Sequence, residues 1–146
     1  MKSSKRNIFI QGPISSTMIA ESIQHHQVKT GIGAHSIFLG QVRADEVNGA
    51  TVIAIEYSAY EEMALEVVNS IREEMISTYH LTCMHIYHSL GTVAVGEISL
   101  FVFTSAPHRK AAIKACEDTV ERIKAELPIW GKEIINNNLH VWKENK

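Results

Sequence analysis

Lys124 and Lys132 stand on either side of Leu127-Pro128-Ile129-Trp130-Gly131. An amine partly withdrawn from water makes a usable acid or base near neutral pH. A Pro-Ile-Trp turn could wall one side of a pocket, and Gly131 lets a backbone approach closely. Both features also have plainer explanations. A lysine at the edge of a helix face can lay its stem on apolar surface with its amine in water, and the turn can be a packed helix-to-strand corner. Ser105-Ala106-Pro107-His108-Arg109 lies where an apolar strand meets a helix. Helix N-termini draw anions through their free N–H groups; His108 adds a titratable group there and Arg109 a fixed cation. Arg43, at the end of another strand, is a third candidate cation.

Other chemistries find no foothold. The sequence holds no P-loop, no GxGxxG and no GxSxG elbow. Eight histidines invite a metal reading, but no HExxH or Cys/His spacing is present. His85 and His88 sit three apart on a strand and face opposite sides, and the adjacent His25 and His26 cannot easily share an ion. No metal site is expected. The two cysteines, Cys83 and Cys116, form no CxxC pair and no disulfide framework; Cys116 reads as core filling.

Composition narrows the class of ligand. The 146 residues suit one domain spanning 1–146, with 45% hydrophobic and 21% charged residues. A net charge of -2 argues against a general polyanion binder. The charge is uneven: residues 107–146 carry eight Lys/Arg against six Asp/Glu, whereas residues 1–106 carry six against ten. A locally basic C-terminal third suits a small anionic ligand better than a nucleic acid. The basic start MKSSKRNIFIQGP has too short an apolar run for a signal peptide, and no stretch approaches a membrane span. A cytoplasmic protein is expected.

The elements that must position these residues follow from periodicity. Strands are expected over Asn7–Ile10, Ala34–Val42, Thr51–Ser58, Thr82–His88, Thr92–Thr104 and Leu139–Lys143. Helices are expected over Ser15–Gln27, Ala59–Tyr79 and Pro107–Leu127. Asn48-Gly49 predicts a hairpin between the second and third strands, and Ser89-Leu90-Gly91 a turn between the fourth and fifth. In the second helix Met63, Val67, Ile71 and Met75 recur every four residues and mark its apolar side. On the third, projection at roughly 100° per residue puts Ala112, Cys116, Val120, Ile123 and Leu127 in one arc, with Lys124 at its boundary. Hairpins dominate this βαββαββαβ order, so the class is α+β with a largely antiparallel sheet and flanking helices.

Taken together, the residues resemble the large, catalytic subunit of molybdopterin synthase, the MoaE family. The pieces are Phe38-Leu39-Gly40-Gln41-Val42-Arg43, Glu56-Tyr57 with Tyr60, and His88 with Gly91. Then come Val95-Gly96-Glu97, Ser105 with His108-Arg109, and Lys124 with Pro128-Ile129-Trp130 and Lys132-Glu133. The resemblance implies an α/β hammerhead-type fold and a homodimer of large subunits within a heterotetramer. Each large subunit would take the Gly-Gly tail of a small ubiquitin-like sulfur carrier, whose C-terminus is a thiocarboxylate. The implied substrate is cyclic pyranopterin monophosphate (precursor Z), and two sulfur transfers convert it to the molybdopterin dithiolene. No permanently bound cofactor is implied. The sulfur arrives already activated, which fits a chain without a Ser or Cys nucleophile: its work is orientation, charge stabilisation and proton transfer.

The resemblance implies Lys124 and Lys132 as catalytic residues. It implies substrate binding by Gln41, Val42, Arg43, His108, Arg109, Lys124, Gly131, Lys132 and Glu133, with His108 and Arg109 open to coming from the neighbouring chain. Two positions depart from the family pattern: Gly131 stands where a lysine is usual, and Ser89 where an arginine often follows the histidine. Gly131 keeps open a second reading, a scaffold that holds a ubiquitin-like tail without the chemistry. A third is an unrelated small-anion-binding protein.

Overall fold

The computed structural model describes residues 7–136 and 140–143. Its elements are β1 (Phe9–Gln11), α1 (Ser16–His26), β2 (Ala34–Gln41), β3 (Glu46–Val47), β4 (Ala50–Ala59), α2 (Glu61–Tyr79), β5 (Cys83–Ala94), β6 (Ile98–Ala106), α3 (Arg109–Glu126), β7 (Ile129–Ile135) and β8 (His140–Lys143). The architecture is α+β. The sheet runs β2-β6-β5-β4-β7-β8, with β1 alongside β5 and β3 alongside β4. β1 is parallel to β5; every other pairing among the described strands is antiparallel. Residues 1–6 and Leu139, within the stretches read as a basic start and a terminal strand, lie outside the described residues.

The two sheet faces are covered by different helices. On one face α1 packs on Phe101 and Phe103 through Met18, Ile19 and Ile23. On the other, α2 and α3 close a core that includes Met84, Ile86, Val102, Ile71 and Ile123. β6 serves both faces, because it is buried from Ser99 to Ala106, as its near-continuous apolar run predicts. Helix α1 begins where its cap requires: the Ser15 hydroxyl accepts the Met18 N–H at 3.1 Å.

Four expectations are corrected. β2 does not form a hairpin with β4; it pairs with β6, from Ala34↔Ala106 to Gln41↔Ile98. The Asn48-Gly49 turn is real, with both residues at positive φ, but it joins the two-residue β3 to β4. A tight turn needs only adjacent strands, and β3 supplies one inside the segment read as loop. Second, Ser89-Leu90-Gly91 is no turn. β5 runs through it and changes partners there, from β6 over Cys83–His88 to β4 over Gly91–Ala94. Gly91, at φ 79°, takes the bend that this change demands. The chain reverses instead at Gly96, φ 88°.

Third, the segment after Pro128 is a strand rather than a corner: β7 pairs with β4 from Ala59↔Ile129 to Val52↔Ile135. Fourth, Met63 is 55% exposed, and the buried side of α2 is Ala64, Val68, Ile71 and Met75. Residues four apart advance about 40° beyond a full turn each time, so a strict four-residue series drifts off the face. The arc read on α3 holds, with Ala112, Cys116 and Ile123 buried.

Candidate active site

The end of β2 is bent toward a cleft. Register shifts between Gly40 and Gln41, and a bulge of this kind re-aims the following residues. A Cβ on Gly40 would come within 3.2 Å of the Leu100 Cβ, so the close approach of β2 to β6 favours glycine there. Beyond the bulge, the Val42 N–H donates to the Glu97 carbonyl at 3.0 Å and the Gly96 N–H returns to the Val42 carbonyl at 2.9 Å. These bonds hold the segment 40–43 over an open cleft of about 300 Å³. Gln41, Val42 and Arg43 line it, together with Tyr57, Ser99 and Lys124.

Lys124 reaches this cleft from the last turn of α3, where a cation also meets the negative end of the helix dipole. Its side chain is half-buried, as its boundary position predicts. Beneath it lies His88, 6% exposed. Burial pushes the His88 imidazole down to about 4; its Nδ1–H bond to the Ser89 carbonyl (2.8 Å) opposes that shift, and the Lys124 charge adds to it. The ring is therefore neutral at physiological pH. Tyr57 meets it edge to face with centroids 5.1 Å apart and donates its hydroxyl to Ser99 Oγ at 3.2 Å. Burial raises the Tyr57 phenol above its ordinary range; the Ser99 bond pulls the other way and the Glu133 carboxylate adds to the rise. Tyr57 stays protonated and can donate a hydrogen bond.

Strand alternation sorts the residues of β7. Gly131 lies opposite Tyr57 and Glu133 opposite Ile55, on the cleft side; Lys132 lies opposite Glu56, on the other side. Lys132 Nζ pairs with Glu56 Oε1 at 3.1 Å. Glu133 is buried, 7% exposed. A Cβ on Gly131 would sit 2.9 Å from Ile55 Cγ2 and 3.4 Å from Tyr57 Cε1. The neighbours of Gly131 are thus side chains of the paired strand, not an approaching backbone, and Ile55 and Tyr57 occupy the start of the path a larger residue would take.

The cations do not all converge. Arg43 lines the cleft but is exposed and folded onto Asp45, with Nε 3.2 Å from Oδ1. His108 and Arg109 are exposed at the start of α3, fifteen residues before Lys124, which is about 22 Å along a helix. Within one chain they do not reach the cleft. Tyr57, His88 and Ser99 were not named as site residues from the sequence. Tyr57 and His88 belong to the motifs quoted above, but only β5's change of partner brings His88 under Lys124. Ser99 carried no signal.

A family model described as MoaE protein matches residues 10–126. Molybdopterin synthase catalytic subunit 1 of Aedes aegypti is 40% identical over 117 residues, covering 78% of this chain and 75% of that protein. The molybdopterin synthase catalytic subunit of Drosophila grimshawi is 40% identical over 134 residues, 90% of this chain but 37% of the fly protein. The chain thus spans about a third of the length of the fly relatives it matches, at 37% and 32% of two of them. Among solved structures, molybdopterin synthase from Staphylococcus aureus superposes with a TM-score of 0.80 at 30% identity, over 97% of this chain and 98% of that one. In the complex of subunits 1 and 2 of molybdopterin-converting factor from Helicobacter pylori, a chain 23% identical shares the fold, at a TM-score of 0.80 over 94% of this chain and 90% of that one.

Proposed function

The chain belongs to the MoaE family, and on that footing we propose that it is the catalytic subunit of molybdopterin synthase, acting in the cytoplasm. It transfers sulfur from the thiocarboxylated tail of a small ubiquitin-like subunit to cyclic pyranopterin monophosphate, forming the dithiolene. The observation that carries this reading is the meeting of Lys124, from the end of α3, with Gln41, Val42 and Arg43, from the end of β2, across one cleft.

The substrate brings a phosphate and the partner's tail a second anion. Arg43 and the backbone around Gln41 and Val42 bind oxygens at the mouth of the cleft. Lys124 stands deeper, between that mouth and neutral His88. A cation held over buried, uncharged groups is poorly screened by water, so its effect on developing negative charge is large. Lys124 gives up and recovers a proton as sulfur replaces oxygen. Tyr57, protonated and fixed by Ser99, orients the substrate as a hydrogen-bond donor. Glu133, buried behind Tyr57, balances the charge of the lysine. Lys132 acts at a distance from this centre: paired with Glu56 on the opposite side of the strand, it is suited to clamping the partner's tail. His108 and Arg109 complete the cleft of the neighbouring large subunit in a homodimer.

The filled space at Gly131 favours the alternative of a scaffold that binds the tail without chemistry. One experiment separates the two: single-turnover mixing of the chain, the thiocarboxylated small subunit and precursor Z. Dithiolene formation by wild type, lost in Lys124→Ala, is expected. Tight partner binding with no product would establish the scaffold.

A further inference from the structure

On the face of the sheet away from Lys124, three side chains with metal-ligand chemistry come together. Cys83 and His85 are two apart on β5 and project to the same side. The last residue of α1, His26, packs over them. Their donor atoms (Cys83 Sγ and one ring nitrogen from each histidine) all lie within 4.8 Å of one another. Cys83 and His26 are each 6% exposed. This is the only such group among the described residues.

The hydrogen bonds set the rings for coordination. His26 Nδ1–H donates to the Ser22 carbonyl at 2.7 Å, the partner arrangement that commonly orients a metal-bound histidine. Its Nε2 is then left facing His85 Nε2 at 2.8 Å. Phe103 fixes the His26 ring from below, with centroids 5.0 Å apart. Lys29 Nζ donates to Cys83 Sγ at 2.8 Å from the exposed side of the cluster.

We propose that His26, Cys83 and His85 form a binding site for a borderline divalent metal ion of the Zn2+ class. Two imidazole nitrogens and one sulfur are ligands this ion prefers, and three protein donors leave a fourth position for water. Tetrahedral bonds of the usual lengths put donor atoms about 3.3–3.8 Å apart. The two nitrogens, 2.8 Å apart, must therefore open slightly, which side-chain rotation supplies. On binding, the Cys83 thiol proton is released to solvent, and the proton that His85 Nε2 shares with His26 Nε2 moves to His85 Nδ1 by a change of tautomer, leaving both imidazoles neutral. Lys29 stays as a donor to the sulfur or swings into solvent. The ion ties the end of α1 to the middle of β5.

The test uses the full chain without an affinity tag, reduced and stripped by chelator, titrated with Co2+ as an optical stand-in for Zn2+. A thiolate-to-cobalt charge-transfer band in the near ultraviolet is expected, with tetrahedral bands in the visible. It should saturate at one equivalent per chain and be abolished by added Zn2+. Cys83→Ser should remove the charge-transfer band, and His85→Gln should weaken affinity about 10-fold or more. Cys116→Ser should leave the band intact. A folded wild type that shows no such band, or a band that persists in Cys83→Ser, overturns the proposal. Circular dichroism establishes that each variant is folded, and the near-isosteric Cys83→Ser keeps the test open if His85→Gln does not fold.

Discussion

Helix α3 ends in two different settings. At its C-terminal end Lys124 meets Gln41, Val42 and Arg43 across a cleft, over the buried His88 and the half-buried Tyr57. At its N-terminal end His108 and Arg109 are exposed on the surface. Both ends carry cations suited to an anionic substrate. The difference is one of enclosure: a charge over buried neutral groups is strong, whereas a charge in water is screened.

Replacing Lys124 with Ala should produce the largest effect, lowering single-turnover sulfur transfer by about 10²- to 10⁴-fold. Folding should be unchanged by circular dichroism, since the side chain is half-buried and outside the core. Turnover close to wild type would remove the cleft end from the mechanism.

The buried histidine gives the cleft end a pH signature. Unfolded, the His88 ring binds its proton near 6.5; folded, near 4. Between those values the unfolded chain holds more protons, so this residue makes stability fall as pH drops through the window. Its contribution amounts to about 3 kcal/mol by pH 4. Denaturant unfolding from pH 7 to pH 4 should show wild type losing about that much more than His88→Gln. Parallel profiles for the two proteins would mean that the ring is not held neutral by burial.

Arg109→Ala should slow sulfur transfer by roughly 10-fold, as loss of one substrate-binding cation would. The sharper form mixes Lys124→Ala with Arg109→Ala and lets subunits exchange. If α3's two ends serve different clefts of a dimer, mixed dimers hold one intact cleft and activity rises above either parent. Activity that stays at the parental level would place both residues in the same cleft, against the 22 Å that separates them, by about 1.5 Å per residue, along α3.

The smallest effect is expected at Gly131. An added methyl would press on Ile55 Cγ2 at 2.9 Å, and Gly131→Ala should lower stability by about 1 kcal/mol in denaturant unfolding. A stabilised variant would show that Ile55 yields easily.

What was legible in the sequence depended on range. A serine cap at Ser15 or Ser16, the arc of α3 and the burial of β6 are local patterns; each is present, the cap at Ser15. Which strand pairs with which is not local. Asn48-Gly49 marks a turn but cannot say that β3 intervenes, so on sequence alone it suggests the wrong neighbour for β2. Ser89-Leu90-Gly91 has turn composition, yet the burial of His88, Ser89 and Leu90 between partners keeps it in β5. Pro128 and Gly131 read as a corner because a strand with those residues needs a partner to hold it, and β4 is far away in sequence. The candidate site divides the same way. Lys124 and the 41–43 segment were found from motif and helix face. His88 could be placed beneath Lys124 only once β5's crossing was known. His26 and His85, 59 positions apart, gave no spacing to read.

Strand β5 belongs to three ladders: β6 over Cys83–His88, β1 over His88–Leu90 and β4 over Gly91–Ala94. Its amide protons are therefore shared between both halves of the sheet. Because β5 is continuous through both halves, the amides of β6, β5 and the paired part of β4 should exchange as one cooperative unit, at the free energy of global unfolding. The edge formed by β7 and β8 has no such tie and can open first, exposing the strand that carries Gly131, Lys132 and Glu133 while the floor of the cleft stays shut.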